Sequence, residues 1–261
     1  MIYQFCSRTD TGQARDNNED SVAFDEEAQV AVLADGMGGY NAGEVASGMA
    51  TAFISLEMAR WLNESAEAAK PRDIRRAMEI CVDNANLSIF NAAHANPQYS
   101  GMGTTLVMGI FRPGAAQIGH IGDSRCYRLR GTQLEQITRD HSLLQEQLDA
   151  GLLTAEQARH SNIKNLVTRA MGVEDSVLLD INEFQVELGD IFLMCSDGLS
   201  DMVDDAGIAK ILCTQTGLAH KAEMLVDAAN DQGGRDNISV LLVEAREAPE
   251  KRGLIARLLG K

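Results

Sequence analysis

The chain has 261 residues and 45 % apolar content, enough for an ordinary hydrophobic core in a single domain. Its 23 basic against 38 acidic residues give a net charge of −15, which argues against nucleic acid or anionic membrane as a partner and favours cations. Cys6, Cys81, Cys126, Cys195 and Cys213 are odd in number and widely spaced, with no CxxC pair; neither a disulfide frame nor a zinc ribbon is expected.

The start, "MIYQFCSRTD", lacks a basic segment followed by an apolar one, and no apolar run nears the roughly 18 residues of a membrane span. A cytoplasmic location is expected. Strand-like runs follow at "SVAFD" and "VAVLA". Helical periodicity then covers Gly43 to Trp61 and Pro71 to His94, the second with Pro71 suited to a first helical turn and apolar positions from Ile74 to Ile89 on one face. Further strand-like runs are "TTLVMGIF", "AQIGHI", "CYRLR", "LEQIT", "FQVEL", "IFLMC" and "ISVLLVEA", and "CYRLRGTQLEQIT" reads as a hairpin about Gly131. Many strands joined by short turns, with long helices inserted as a pair, predict an α+β fold. Its form is a four-layer sandwich of two antiparallel sheets covered by helices.

Strand ends carry the chemistry. "VAVLADG" ends at Asp35, "IGHIGDS" at Asp123 and "IFLMCSDG" at Asp197, while "RDNISVLLV" begins at Asp236. If these ends meet at one rim, the carboxylates are tolerable only around cations or protons. Hard oxygen donors without a His/Cys set point to magnesium or manganese. Gly36 lets a backbone carbonyl approach as a further ligand. Upstream, "ARDNNEDSVAF" places Arg15 near Glu19 and Asp20; an arginine beside an acidic nest suits an anion clamp, because its fork binds phosphate oxygens in pairs. The acids and amides at Asp16, Asn18, Asp20 and Glu27 mimic a calcium loop, but Ser21 stands where the loop requires glycine and the flanks read as strand.

The stretches "RDNNEDS", "ADGMGG", "GEVAS", "GMGTTL", "IGDSRCYRLR", "ITRDHS", "LMCSDGLSD" and "GGRDNISVLLV" occur in order across residues 8 to 244. Together they resemble the metal-dependent protein phosphatase 2C family, in a compact bacterial form. The resemblance implies a β-sandwich with helices on both faces, and a binuclear Mn2+ or Mg2+ centre that hydrolyses phosphoserine and phosphothreonine. By the same resemblance Asp35 bridges two ions, with the Gly36 carbonyl on one and Asp197 and Asp236 on the other. Asp123 with Asp197 builds a third ion site. Glu19 and Asp20 hold waters around the ions, Asn237 orients Asp236, and Arg15 grips the phosphate. The partners implied are phosphoprotein substrates and a bacterial Ser/Thr kinase whose work is reversed, with the enzyme itself a monomer.

Where eukaryotic members carry a histidine after the bridging Asp-Gly, this chain has Met37, and a thioether cannot donate a proton. A water on the third ion is the favoured donor to the leaving oxygen, with His141 of "RDHS" second. His120 reads as a packed strand residue, and His94, His160 and His220 as helix surface. The catalytic domain is expected over 1–246. It includes a polar insertion over 140–172 whose second helix opens with a Thr154/Gln157 capping box; in the family this insertion is a flap over the site. The tail over 247–261 mixes Lys251, Arg252, Arg257 and Lys261 with Leu254, Ile255, Leu258 and Leu259, either a frayed end or a docking helix. Two other function classes are less consistent with the sequence: a silent phosphoprotein-binding regulator, against which the complete acid set argues, and a metal-dependent nuclease or phosphodiesterase, which the charge opposes.

Overall fold

Apolar residues alternate along the strands so that each buries two faces, and this alternation builds the layers. In the strand Val30–Met37, Val30, Val32 and Ala34 turn toward helices while Ala31 and Leu33 turn toward a second sheet. The computed structural model describes residues 1–38, 42–65, 69–154, 157 and 166–248. In chain order the elements are β1 (Ile2–Asp10), β2 (Asp20–Asp25), β3 (Val30–Met37), α1 (Ala42–Ser65), α2 (Pro71–Ala95), β4 (Gly103–Thr104), β5 (Leu106–Arg112), β6 (Ala115–Ile121), β7 (Arg125–Arg130) and β8 (Gln133–Gln136). There follow α3 (Leu143–Asp149), β9 (Asp180–Gln185), β10 (Ile191–Cys195), α4 (Asp197–Ser200), α5 (Asp205–Leu212), α6 (Leu218–Asp231) and β11 (Ile238–Arg246).

One antiparallel sheet runs β1-β11-β10-β7-β8, the other β2-β3-β5-β6-β9 with β4 paired to β3. Between them Tyr3, Phe5, Phe111 and Phe192 pack with Phe111 at the centre, its ring 5.3–5.9 Å from the other three. Each such buried aromatic contributes about 1.5–3 kcal/mol by area alone. α1 and α2 cover one outer face through Ile54, Met58, Met78 and Ile89. The short helices α4 to α6 cover the other through Leu199, Ile208, Leu212 and Leu225. The expected four-layer α+β sandwich is therefore present. No helix among the described residues is long and apolar enough to cross a membrane, and all five cysteines are free.

Several boundaries differ from the sequence expectation. β1 was not anticipated, because "IYQFCSRTD" mixes polar residues into its pattern; it forms because it registers with β11 from Ile2↔Arg246 to Asp10↔Ile238, burying Tyr3 and Phe5. The strand placed at "FQVEL" lies earlier, at Asp180–Gln185, since it must pair with β6 from His120↔Asp180 to Ala115↔Gln185. "LEQIT" ends as strand at Gln136. Asp35 is not the last residue of its strand, because Gly36 and Met37 continue β3 by pairing with Thr104 and Gly103. The hairpin about Gly131 and Pro71 in the first turn of α2 are found as expected. So is the capping box: Gln157 N–H donates to Thr154 Oγ1 (3.2 Å) and Thr154 N–H to Gln157 Oε1 (2.8 Å). The helix beyond it, His160 and the basic-apolar tail from residue 249 lie outside the described residues.

Candidate metal centre

Each acid reaches the same rim by its own route. Asp35 in β3 stands directly opposite Asp20 of β2. Asp123 follows β6, Asp197 opens α4 just after β10, and Asp236 precedes β11. Like charges directly opposed across strands destabilise a sheet, so folding alone does not select this pair.

Hydrogen bonds hold the acids in place. The Asp35 N–H donates to Thr105 Oγ1 (3.0 Å), and the Asp35 carbonyl accepts from the Thr105 N–H and the Thr104 hydroxyl, both at 2.9 Å. The Thr105 hydroxyl also meets Ser124 Oγ at 2.7 Å, so one hydroxyl ties the Asp35 strand to the neighbour of Asp123. Ser196 donates to Asp20 Oδ2 at 2.7 Å, while Asp20 Oδ1 is buried with no hydrogen-bond partner. Gly36 N–H donates to the Glu19 carbonyl at 3.0 Å. A Cβ on Gly36 would fall 2.1 Å from the Gly43 carbonyl oxygen, so only glycine lets α1 start this close to β3. Likewise a Cβ on Gly198 would fall 2.0 Å from the Asn237 carbonyl oxygen, which places the Asp197-Gly198 turn against Asp236-Asn237.

The Asn237 side chain does not reach Asp236. It accepts the Glu19 N–H (2.8 Å) and donates to the carbonyls of Thr11 and Asn17 (2.9 Å each), stapling the loop that carries Arg15 and Glu19; its backbone N–H reaches Asp236 Oδ1 at 2.9 Å. Arg15, half-exposed, pairs with Asp236 Oδ2 at 2.7 Å.

A family model described as Protein phosphatase 2C matches residues 10–230. The chain belongs to the protein phosphatase 2C family. It is 38 % identical over 240 residues to the serine/threonine phosphatase stp of Listeria innocua, covering 91 % of this chain and 94 % of that protein. The crystal structure of the Mycobacterium tuberculosis serine/threonine phosphatase PstP/Ppp superposes with a TM-score of 0.87 at 34 % identity, over 95 % of this chain and all of that one. A structure of the PstP catalytic domain in complex with two manganese ions is similar too, with a TM-score of 0.83 at 34 % identity over 94 % of this chain and 99 % of that one.

The electrostatics of this family member follow from the crowding. Burial, then the charges of Asp20, Asp197, Asp123 and Asp236, pushes Asp35 well above the usual carboxylate range. Burial, then Asp123 and Asp236, does the same to Asp197. Asp20 is pushed up to about 6 by burial, and Asp123 to about 6 by burial and then the charge of Asp140. Burial also raises Glu19. Asp20, Asp35, Asp197 and Asp236 all keep partial solvent exposure, so ions and substrate can reach them. Hard oxygen donors, a shortage of compensating charge and the orphaned Asp20 oxygen fit divalent cations of the Mg2+ or Mn2+ type.

The structure thus brings together Arg15, Glu19, Asp20, Asp35, Gly36, Asp123, Asp197, Asp236 and Asn237. Thr105 and Ser196 were missed. Ser196 adjoins Asp197 in "LMCSDGLSD", which is a signal of position but not of role, whereas Thr105 in "GMGTTL" has no acid beside it in the chain. His94 and His220 are exposed on helices, and His120 is buried in β6.

Proposed function

We propose that this serine/threonine protein phosphatase works at the acidic cleft, with Asp35 shared by two divalent ions, the Gly36 carbonyl on one and Asp197 and Asp236 on the other, and Asp123 with Asp197 at a third. The convergence of these carboxylates, with Asp35, Asp123 and Asp197 pushed toward their protonated forms by burial first and by neighbouring charge second, supports the reading best. Mg2+ or Mn2+ bound there would neutralise phosphoryl charge and acidify water, the two needs of phosphate-ester hydrolysis.

The chain's own groups supply position. Glu19 and Asp20 stand beside the ligands as acceptors for ordered water, and Ser196 and Thr105 keep Asp20 and Asp35 from swinging apart. Arg15 now balances Asp236; once that carboxylate is neutralised from the cleft side, its planar fork is free to take two phosphoryl oxygens. Met37 offers no proton, and His141 has both ring nitrogens engaged within the protein, which removes it as donor. With these two set aside, the proton for the leaving serine oxygen is assigned to water beside Asp123, which the Asp123→Asn comparison of leaving groups tests.

The catalytic unit is taken as 1–246 with its flap at 140–172, acting as a cytoplasmic monomer on esters made by a Ser/Thr kinase. Phosphate release from a phosphoserine peptide, assayed with Mn2+ and with EDTA, tests the reading. Activity should require the ion, and Asp35→Asn should abolish it while weakening both core ions in a calorimetric titration. Unchanged Mn2+ stoichiometry and affinity in that variant would overturn the bridging role.

A further inference from the structure

Apart from the acidic cleft, the described residues include a group with the spacing of metal ligands: His120, His141 and Asp180. Its geometry points to another use. The two imidazoles stack, centroids 4.6 Å apart and planes 16° from parallel, so their in-plane lone pairs run side by side where a tetrahedral ion needs them to converge. The Arg169 guanidinium also stands there already, 2.9 Å from Asp180 Oδ1 and 3.1 Å from His141 Nε2.

The tautomer of His141 follows from its neighbours. The Gly122 backbone N–H can only donate, and it lies 3.1 Å from His141 Nδ1; Nδ1 therefore carries the lone pair. Nε2 carries the proton and donates it to Asp180 Oδ2 at 3.1 Å. Burial lowers the pKa of His141 against the raising pull of Asp180, which keeps the ring neutral.

What the ring grips is the turn that carries Asp123. His141 N–H donates to the Gly122 carbonyl at 2.8 Å while its ring accepts the Gly122 N–H, so one residue takes both backbone groups of the residue before Asp123. Gly122 has φ +98°, and a Cβ there would meet Thr105 Cγ2 at 2.7 Å, so the turn depends on its partners. On its far side Arg125 forks onto Asp140, with contacts of 3.0 and 2.7 Å. The His141 carbonyl accepts the Thr168 N–H and Leu143 N–H donates to the Leu166 carbonyl, both at 2.9 Å. The two ends of the flap thus pair with each other at His141.

We infer that His141 is a positioning residue: it fixes the Asp123 turn, and hence the affinity of the cation assigned to Asp123, while Asp180, itself held by Arg169, anchors the ring from the exit of the flap. This rests on the proposed role of Asp123 as a cation ligand. Groups that orient a ligand typically cost 10–100-fold in metal affinity when removed.

Mn2+ titration of the full chain by calorimetry tests it, in the wild type, His141→Ala, His141→Asn, Asp123→Asn and the Asp123→Asn/His141→Ala double variant. His141→Ala should weaken by about 10-fold or more the ion that Asp123→Asn eliminates, and leave the core pair unchanged. His141→Asn should recover most of the loss, because its side-chain oxygen can take the Gly122 N–H. The double variant should match Asp123→Asn. In metal-free protein, hydrogen exchange over 121–125 should rise in His141→Ala and fall back in His141→Asn. If His141→Ala does not fold, Asp180→Ala, which frees the Nε2 edge of the ring, should show the same selective weakening. An unchanged affinity for that ion in His141→Ala, or equal weakening of all ions with or without Asp123, would overturn the inference. Unchanged Mn2+ stoichiometry in Asp123→Asn would show instead that the assignment of Asp123 fails, and the inference with it. An extra Mn2+ lost with Asp180→Ala but kept with Asp123→Asn would make the histidine group a metal site and overturn the positioning role.

Discussion

Arg15 and Asp123 illustrate how single residues divide the work. Arg15 is half-exposed and paired with Asp236 at 2.7 Å, so removing it leaves no buried charge unpaired. Arg15→Ala is expected to raise KM for a phosphopeptide by the worth of a charge-assisted hydrogen bond, about 1.5–3 kcal/mol, with kcat much less affected. Calorimetry should find the core ions bound nearly as tightly. An unaltered KM would remove Arg15 from the site. For Asp123 the discriminating quantity is the leaving group. A serine alkoxide leaves poorly without a proton, whereas p-nitrophenolate needs little help. Asp123→Asn is therefore expected to cripple hydrolysis of a phosphoserine peptide far more than that of p-nitrophenyl phosphate. Equal losses on the two substrates would assign Asp123 to binding or to activation of the attacking water.

Among the elements, β3 and α1 set the tightest tolerance. The Gly36 N–H bonds to the Glu19 carbonyl, Ser47 of α1 donates to the same oxygen at 2.6 Å, and the Gly43 carbonyl lies where a Gly36 Cβ would go. Gly36→Ala must push backbone from backbone, since no flexible side-chain end is there to yield. The expected cost is about 1–3 kcal/mol or more, read as a lower urea midpoint with unchanged slope, together with weaker Mn2+ binding as Asp35 shifts. A urea midpoint equal to that of the wild type would show that β3 and α1 can separate freely. By contrast, Gly131 at the β7–β8 turn has open space around it and φ +61°, so substitution there should strain only the hairpin.

At the scale of the whole molecule, the sandwich holds a set of acids whose pKa values are raised by burial and mutual charge. The sign of the consequence is fixed. Asp20 and Asp123, both pushed up to about 6, hold protons in the folded metal-free state that the unfolded chain has already lost near pH 4. Their stabilising share is present below about pH 4 and is lost as pH rises through about 6; Asp35 and Asp197 act in the same direction. Cations compete with protons for these oxygens. The gain in Tm on adding Mn2+ to EDTA-treated protein is expected to grow from pH 5 to pH 7.5, and to shrink at every pH in Asp35→Asn. A gain independent of pH would mean that the ions bind away from the acid cluster.

The sequence by itself determined the α+β sandwich, the long helix pair and the identity of the acids, because side-chain periodicity and residue chemistry are local properties that survive without coordinates. Asp35, Asp123, Asp197 and Asp236 were legible as carboxylates at or near strand ends, and the ordered motifs named the family. Only the tertiary structure decided what depends on partners remote in the chain. β1 exists because β11 registers with it. The Asn237 side chain became a staple for the Arg15 loop, and only its backbone N–H reaches Asp236. His141 left the list of proton donors once Gly122 and Asp180 claimed its two nitrogens. Thr105 and Ser196 carry no sequence mark of their roles, since a hydroxyl's partner is set by how strands pack, and packing places next to each other residues that the sequence keeps far apart.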